Sequence, residues 1–180
     1  YKTNFKLLKI EDPIYKLKSI KNEQEIKHMM EAHKKDGLAL TKFIYWIKNV
    51  NKKVITEVDA QNRLEKFRKL NPVYLFPSFN TIAGAGSNGA IVHYRATPKN
   101  TKKIKKQDLL LVDSGGQYKF GTTDVTRTIC FSKQKKTIMN AYTYVLKGHI
   151  AVVQTNLNKI DTGKKIDIRA TAICPFKTLV

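Results

Sequence analysis

Two aspartates separated by ten residues, Asp113 and Asp124, are the side chains of this sequence best suited to chemistry. They lie in the segment DSGGQYKFGTTDVTRT (113–128), in which three glycines mark a reversal of the chain. If the flanking strands pair about a turn centred on Tyr118 and Lys119, the aspartates face each other with β-carbons about 5 Å apart. Two facing carboxylates repel, so either one holds a proton or a cation lies between them. The pattern therefore indicates a site for one divalent cation, or for two ions about 3.5–4 Å apart.

Aspartates beside glycines also have a purely structural interpretation. Their side chains hydrogen-bond the backbone of tight turns, and for an isolated pair this is the commoner arrangement. A third residue favours the chemical interpretation. His93, in the segment IVHYRAT, is the one histidine that the pattern places on a strand, twenty residues before Asp113. Beside two aspartates, a histidine can orient a substrate carbonyl or move a proton, so His93 is the catalytic and substrate-binding candidate.

Helical spacing of apolar residues predicts helices at both ends of the sequence. Asn22 and Glu25 form a capping box, and apolar residues then recur at helical spacing through Asn49. The resulting stripe predicts the buried face of this long helix: Ile26, Met30, His33, Gly37, Leu40, Ile44 and Ile47. Similar signals place further helices from three starting points: Thr56, Thr137 and the neighbourhood of Asp161.

Short extended segments lie between the second and third helices. Apolar and β-branched runs predict strands at 72–76, 81–85, 90–94, 109–113 and 122–131. The stretch GAGSNG (84–89) lacks the Gly-Lys-Ser/Thr ending of a phosphate loop, so we interpret it as a loop that lets backbone approach a site. The order helix, helix, strands, helix, helix indicates an α+β domain with helices packed on a mainly antiparallel sheet.

The composition indicates a globular protein with a strongly basic surface. The 180 residues are 42% apolar, and 34 basic against 14 acidic residues give a formal charge of +20. Only five of the basic residues are arginine, the residue that base-edge and bidentate phosphate recognition favour. Nucleic-acid binding is therefore not expected. The lysine-rich segment 99–108 is the best candidate for an electrostatic contact.

The sequence lacks the signals of a membrane protein or a disulfide framework. No apolar run approaches the roughly 20 residues of a membrane span, and the first residues have no signal-peptide pattern. Cys130 and Cys174 are too few for a disulfide framework or a four-thiolate metal site. We therefore expect a cytosolic protein with no membrane contact.

Three stretches of the sequence resemble the catalytic domain of Xaa-Pro aminopeptidases, also called aminopeptidase P. They are NTIAGAGSNGAIVHYRAT (80–97), LLLVDSGGQYKFGTTDVTRT (109–128) and YTYVLKGHIAV (142–152), and residues 13–47 resemble the start of that domain. The resemblance covers roughly residues 13–169 and implies the first half of the pita-bread fold, which creatinase, prolidase and methionine aminopeptidase share. Residues 1–12 would then be a remnant or linker, and 170–180 a divergent tail.

This resemblance implies a site and a reaction. Asp113 and Asp124 would be metal ligands, with Asp124 bridging two manganese ions, and His93 would contact the substrate. Thr126 and Thr128 would be framework residues whose hydroxyls can hydrogen-bond the ligand carboxylates. The implied reaction is hydrolysis of the bond before a proline in the second position of a peptide.

The resemblance also implies five protein ligands, of which this sequence supplies two. The others, a histidine and two glutamates, come from the second half of the pita-bread fold, and no glutamate follows Glu65 here. We therefore expect a truncated or split form that is inactive alone, with a separately encoded C-terminal half as a candidate partner. The alternative is a non-catalytic pita-bread relative that contacts RNA or a protein through its basic surface.

Overall fold

The structure is a computed structural model that describes residues 9–50, 54–156, 158 and 162–173. The chain divides into two compact units, Tyr1–Phe131 and Ser132–Val180. The expected linker 1–12 and tail 170–180 fall partly outside the described residues, and Cys174 lies there entirely. No helix in the described ranges is long and apolar enough to cross a membrane.

In the part of the first unit that the structure describes, the strands follow the helices α1 (Pro13–Ser19), α2 (Glu23–Asn49) and α3 (Glu57–Lys69). The predicted capping box of α2 is confirmed, because the Asn22 side chain accepts from the Glu25 amide and the Glu25 carboxylate accepts from the Asn22 amide, both at 2.8 Å. The start of α3 is also confirmed and carries a second capping box. The short helix α1 was not predicted, and none of its residues is buried.

The buried face of α2 differs from the predicted stripe. Ile26 and Met30 are 51% and 59% exposed, so the predicted face is wrong over the first half of the helix. The buried residues of α2 include Leu40 and Ile47, which were predicted, and also a charged side chain: Ala32, Asp36, Ala39, Leu40, Phe43 and Ile47. By its hydropathy, Asp36 is expected on the exposed side of the helix. It forms an ion pair with the buried side chain of Arg68, so the face of α2 that carries Asp36 packs inside the protein.

Among the described residues of the first unit, six strands form two antiparallel sheets of three strands each. Their bounds are β1 Tyr74–Pro77, β2 Ile82–Ala85, β3 Leu109–Ser114, β4 Gly116–Tyr118, β5 Gly121–Thr122 and β6 Val125–Cys130. One sheet has the order β2-β3-β6 and the other β1-β4-β5. The α+β class and the antiparallel pairing are therefore confirmed, whereas the predicted single sheet is divided in two.

The predicted strand at 90–94 is wrong. A 3₁₀ helix, Gly86–Ala90, occupies the start of this segment, and the residues after it form turns. His93 has a φ of 53°, a left-handed conformation that a strand does not contain. Side-chain hydrogen bonds of Asn88 and Tyr94 fix the conformation of this segment, so its apolar and β-branched residues do not form a strand.

One long hairpin connects the two sheets. Its strands keep a single register, in which Asp113 pairs with Thr126 on β6 and Gln117 pairs with Thr122 on β5. The predicted register, with Asp113 opposite Asp124, is therefore wrong, because the turn lies at Lys119 and Phe120 rather than at Tyr118 and Lys119. Phe120 packs with Tyr118 against Ala32 and Tyr74, and this burial fixes the position of the turn.

The main core lies between α2, α3 and the sheet β2-β3-β6. Its fully buried members come from all three layers and include Phe43, Leu64, Ala83, Leu110 and Val112. Alternate residues of β3 are buried, so Leu110, Val112 and Ser114 face the core while Leu111 and Asp113 face the other side. The sheet thus presents Asp113 on the face that the helices do not cover.

The described part of the second unit includes the helices α4 (Lys136–Val153) and α5 (Gly163–Ile173). Both agree with the predicted third and fourth helices. They pack closely at Gly148, where a β-carbon would come within 2.9 Å of the carbonyl oxygen of Ala170.

Candidate metal centre

Asp113, Asp124 and His93 line a single pocket of about 440 Å³. The structure therefore brings together all three candidates that the sequence analysis identified. Four other residues complete the lining: Phe79, Asn80, Ile82 and Arg95.

Asp113 is held by its neighbours on both sides of β3. It is half-buried and lies between Ile82 of β2 and Thr126 of β6 in the ladder. The Thr126 hydroxyl donates to Asp113 Oδ1 at 2.8 Å, so the hydrogen bond expected of this threonine is present. This bond occupies one lone pair of Oδ1 and fixes the rotamer of the carboxylate. Such supporting bonds keep a ligand oxygen aimed at its metal.

Asp124 lies immediately before β6, where the hairpin passes from one sheet to the other. Gly115 and Thr123 approach each other so closely there that a β-carbon on Gly115 would overlap the Thr123 carbonyl oxygen and the Ser78 hydroxyl. The Thr123 amide donates to the Gly116 carbonyl, and the Gly116 amide donates to the Thr123 hydroxyl, both at 2.9 Å.

This sheet crossing brings the aspartates together without direct pairing. Asp124 is two residues before Thr126, the partner of Asp113, and in a strand residues two apart project from the same face. The two carboxylates are therefore diagonal neighbours on one face. Asp124 is exposed and Asp113 half-buried, so the pair is less buried than the sequence analysis assumed.

His93 reaches the pocket from a turn and not from a strand. Its side chain is exposed, while the next residue, Tyr94, is only 8% exposed and anchors the segment. The histidine thus presents its imidazole to the pocket from the end of a tightly held turn.

Arg95 is the charged pocket residue that the sequence analysis missed. It lies two residues after His93 in the same IVHYRAT segment, and that proximity was the one available signal. Its guanidinium offsets part of the charge of the two carboxylates, and two negative groups against one positive group leave the lining with an excess of negative charge when the histidine is neutral.

The carboxylate oxygens of this pocket are the type of ligand that a hard divalent cation prefers, but there are too few of them to complete its coordination. Carboxylate oxygens are the ligands preferred by Mg²⁺, Ca²⁺ and Mn²⁺, which take six or more ligands. Across the described ranges, no group of three or more His, Cys, Asp or Glu side chains is placed to hold a metal. Asp113 and Asp124 are therefore two candidate ligands, fewer than such a cation takes, and a metal bound in this pocket would need further ligands.

Comparison with known sequences finds relatives over most of this chain. Residues 27–174 match metallopeptidase family M24. The chain is 42% identical over 159 residues to aminopeptidase P2 of Arabidopsis thaliana and 42% identical over 168 residues to a probable Xaa-Pro aminopeptidase P of Paracoccidioides brasiliensis (strain Pb03). These alignments cover 86% and 92% of this chain but only 22% and 27% of the two relatives.

Solved structures give the same result for the fold. The X-prolyl aminopeptidase of Caenorhabditis elegans, a cytosolic enzyme with a dinuclear active site, superposes with a TM-score of 0.84 at 30% identity, covering 90% of this chain and 27% of that one. Prolidase from Pyrococcus furiosus superposes with a TM-score of 0.75 at 26% identity, covering 91% of this chain and 46% of that one. The chain thus spans about a quarter of the length of the curated relatives it matches.

Proposed function

Because this chain belongs to metallopeptidase family M24 and has the pita-bread fold of its aminopeptidase P and prolidase relatives, we propose that it is part of an Xaa-Pro aminopeptidase. In this proposal residues 13–169 are part of the catalytic domain, and Asp113 and Asp124 are ligands of a dinuclear metal centre. The observation that carries the proposal is the single pocket that both aspartates share with His93. The substrates are peptides with proline in the second position.

Each pocket residue has a defined task. Asp113, oriented by Thr126, and Asp124, at the sheet crossing, would hold manganese, which the hard oxygen donors favour. When bound, the metal lowers the pKa of a water molecule and polarises the scissile carbonyl. His93 donates a hydrogen bond to the substrate carbonyl and so orients the peptide bond. The nematode relative is cytosolic, and we propose the same compartment for this protein.

Two aspartates do not complete a dinuclear site, so the chain alone should have negligible peptidase activity. The remaining ligands would come from a further segment, carried on the same polypeptide or on a separate one. This follows from the shortage of acidic and histidine ligands in the described ranges.

The first prediction tests this role in a chimaera. The matching segment of Arabidopsis thaliana aminopeptidase P2 is replaced by residues of this chain, to which it is 42% identical. We expect Mn²⁺-dependent release of the first residue from a peptide with proline second. Asp113→Ala or Asp124→Ala in the graft should lower kcat/KM by about 10²–10³-fold, because the metal supplies several kcal/mol of transition-state stabilisation.

The control is Glu31→Gln, which neutralises an exposed carboxylate that pairs with Lys35 on α2. It should leave kcat/KM unchanged. A folded chimaera in which Asp124→Ala retains full activity would contradict the proposed ligand role. Peptidase activity of this chain alone would contradict the proposed need for a further segment.

A further inference from the structure

A fully buried carboxylate outside the pocket, Glu57, has an unusual number of hydrogen bonds. It is the first residue of α3 and has no exposed surface. Its oxygens accept from the Ala85 amide at 2.7 Å, the Lys102 amide at 2.8 Å, Asn88 Nδ2 at 2.9 Å and the Tyr94 hydroxyl at 2.9 Å. A buried carboxylate is costly unless such bonds satisfy it, and here four groups do so.

These four donors all belong to the segment 85–102, which contains His93. Ala85 is the last residue of β2, and Lys102 lies at the other end of the segment. The backbone of Glu57 also bonds the end of this segment, because its amide donates to the Lys102 carbonyl at 3.0 Å. Glu57 therefore makes hydrogen bonds to both ends and to the middle of the loop that carries His93.

Helix capping does not explain this arrangement. The N-terminus of α3 has a complete capping box, in which the Thr56 hydroxyl accepts from the Asp59 amide and the Asp59 carboxylate accepts from the Thr56 amide. Because the side chain of Glu57 takes no part in that box, its hydrogen bonds act on the loop.

Tyr94 links the hydrogen bonds of Glu57 to the next residue in the loop, His93. The Tyr94 hydroxyl donates to Glu57 and accepts from Asn88 Nδ2 at 2.7 Å. Burial, with a further contribution from the hydrogen bond to Glu57, raises the pKa of Tyr94, so its hydroxyl remains a donor at neutral pH. The ring is thus fixed at its far end, one residue from the histidine.

The backbone of His93 needs such a constraint. Its φ of 53° lies in the left-handed region, which costs a non-glycine residue on the order of 1–2 kcal/mol. A residue persists in that conformation only when its surroundings enforce it. A different φ at this position would change the direction of the imidazole relative to the pocket that it shares with Asp113 and Asp124.

We propose that Glu57 is a positioning residue that, through Tyr94 and Asn88, holds His93 in its left-handed conformation and directs its imidazole into the aspartate pocket. The catalytic meaning of this placement rests on the proposed function. The placement itself is a property of the chain without metal or substrate, and it is measurable in that state.

The test compares Glu57→Gln with the unchanged chain by NMR of the ¹⁵N-labelled protein. The imidazole signals of His93, assigned with His93→Gln, should shift, while those of His28 and His33 stay in place. Hydrogen exchange at the Tyr94 amide should accelerate about ten- to a hundredfold, as expected when one or two buried hydrogen bonds are weakened.

The matched control is Glu65→Gln on the same helix. Glu65 accepts a hydrogen bond from the Tyr74 hydroxyl at 2.7 Å, and Tyr74 lies outside the loop. This variant should leave the His93 signals unchanged. Unchanged His93 signals and Tyr94 exchange in folded Glu57→Gln would overturn the proposal.

A second variant decides the matter if Glu57→Gln does not fold. Tyr94→Phe keeps the ring and removes the hydroxyl that bonds Glu57. A shift of the His93 signals in this variant supports the proposal, and no shift overturns it. Because these measurements need no catalysis, an inactive chimaera with a normal His93 response would count against the proposed function alone.

Discussion

Gly115 is the residue on which the geometry of the aspartate pocket depends most directly. At this point the hairpin leaves one sheet and enters the other, with Asp113 shortly before the crossing and Asp124 after it. The carbonyl of Thr123 and the hydroxyl of Ser78 occupy the space that a side chain at Gly115 would need. They are themselves joined, since the Ser78 hydroxyl donates to the Thr123 carbonyl at 2.8 Å.

The second prediction is that Gly115→Ala destabilises the protein. The added methyl must displace backbone, so we expect a loss of about 1–3 kcal/mol or more in the free energy of unfolding, measured in urea. The control is Gly37→Ala in the middle of α2, where no atom other than those of the adjoining residues and the helix's own backbone lies within 4 Å of the added carbon. Helix propensity should make that variant more stable by up to about 1 kcal/mol. Equal effects of the two substitutions would contradict this account.

At the residue scale, the sequence was sufficient to identify the candidate ligands but not their geometry. Asp113 and Asp124 were recognisable from their spacing and their glycine-rich surroundings. Their diagonal relation was not, because the turn position depends on the burial of Phe120 against a helix distant in sequence. Arg95 was missed for a similar reason, since only the folded loop places it in the pocket.

Among the elements, α2, α3 and the hairpin are joined by a buried ion pair. Arg68 donates to both carboxylate oxygens of Asp36, at 2.7 and 3.1 Å, and also to the Ser114 hydroxyl at 3.0 Å. The Tyr118 hydroxyl donates to the same carboxylate at 2.8 Å. Ser114 follows the candidate ligand Asp113 in the chain, so this network also supports the end of β3 at the pocket.

The third prediction concerns this pair. Asp36→Ala should lower the free energy of unfolding by about 3–5 kcal/mol, because it leaves the Arg68 charge buried without its partner. Asp36→Leu combined with Arg68→Met should cost less than the single change, which a double-mutant cycle in urea would measure. The exposed pair of Glu31 and Lys35 is the comparison, and Glu31→Ala should cost no more than about 0.5 kcal/mol. If the double variant is less stable than Asp36→Ala, the unpaired charge of Arg68 is not the cause of the loss in unfolding free energy, and the prediction is wrong.

Prediction of the elements succeeded where the signal is local. Capping boxes fix the starts of α2 and α3, and both were found from two residues each. The buried face of α2 was not found, because Asp36 is buried only in the presence of Arg68, 32 residues away. The strand expected at 90–94 failed likewise, since a buried carboxylate on α3 determines the shape of that segment.

For the whole molecule, buried tyrosines make stability depend on alkaline pH, and Tyr74, Tyr94 and Tyr118 all contribute in the same direction. Burial, then hydrogen bonding to a carboxylate, raises the pKa of Tyr74, which bonds Glu65, and of Tyr118, which bonds Asp36. A raised pKa in the folded state means that the native protein keeps a proton which the unfolded chain releases at about pH 10. The stabilisation is therefore fully present below pH 10 and is lost as the pH rises above it.

The fourth prediction follows from this sign. The free energy of unfolding, measured in urea between pH 8 and 11, should fall more steeply in the unchanged chain than in Tyr118→Phe. Tyr45→Phe, at a site that is 72% exposed, should retain the steep fall. The variants differ only at the tyrosine, so the comparison between them isolates its contribution. Parallel curves for Tyr118→Phe and the unchanged chain would contradict the prediction.

At this largest scale, the order of helices and strands was enough to predict an α+β fold, and the motif resemblance identified the family. The division into two sheets was not predictable from the order alone. Strand pairing is non-local, and the crossing at Gly115 depends on contacts with Ser78 that no spacing rule contains.

The single register of the hairpin also limits how its length can change. Because side chains alternate along a strand, one residue added at Lys119 and Phe120 would reverse the side chains on one strand if the turn kept two residues and the register shifted by one. Two added residues would restore the alternation and lengthen the tip beyond β4 and β5, leaving both aspartates on their shared face. Extensions in even steps therefore preserve the alternation, but any extension here must also keep Phe120 packed against Ala32 and Tyr74, which restricts the tip as a position for grafting a peptide.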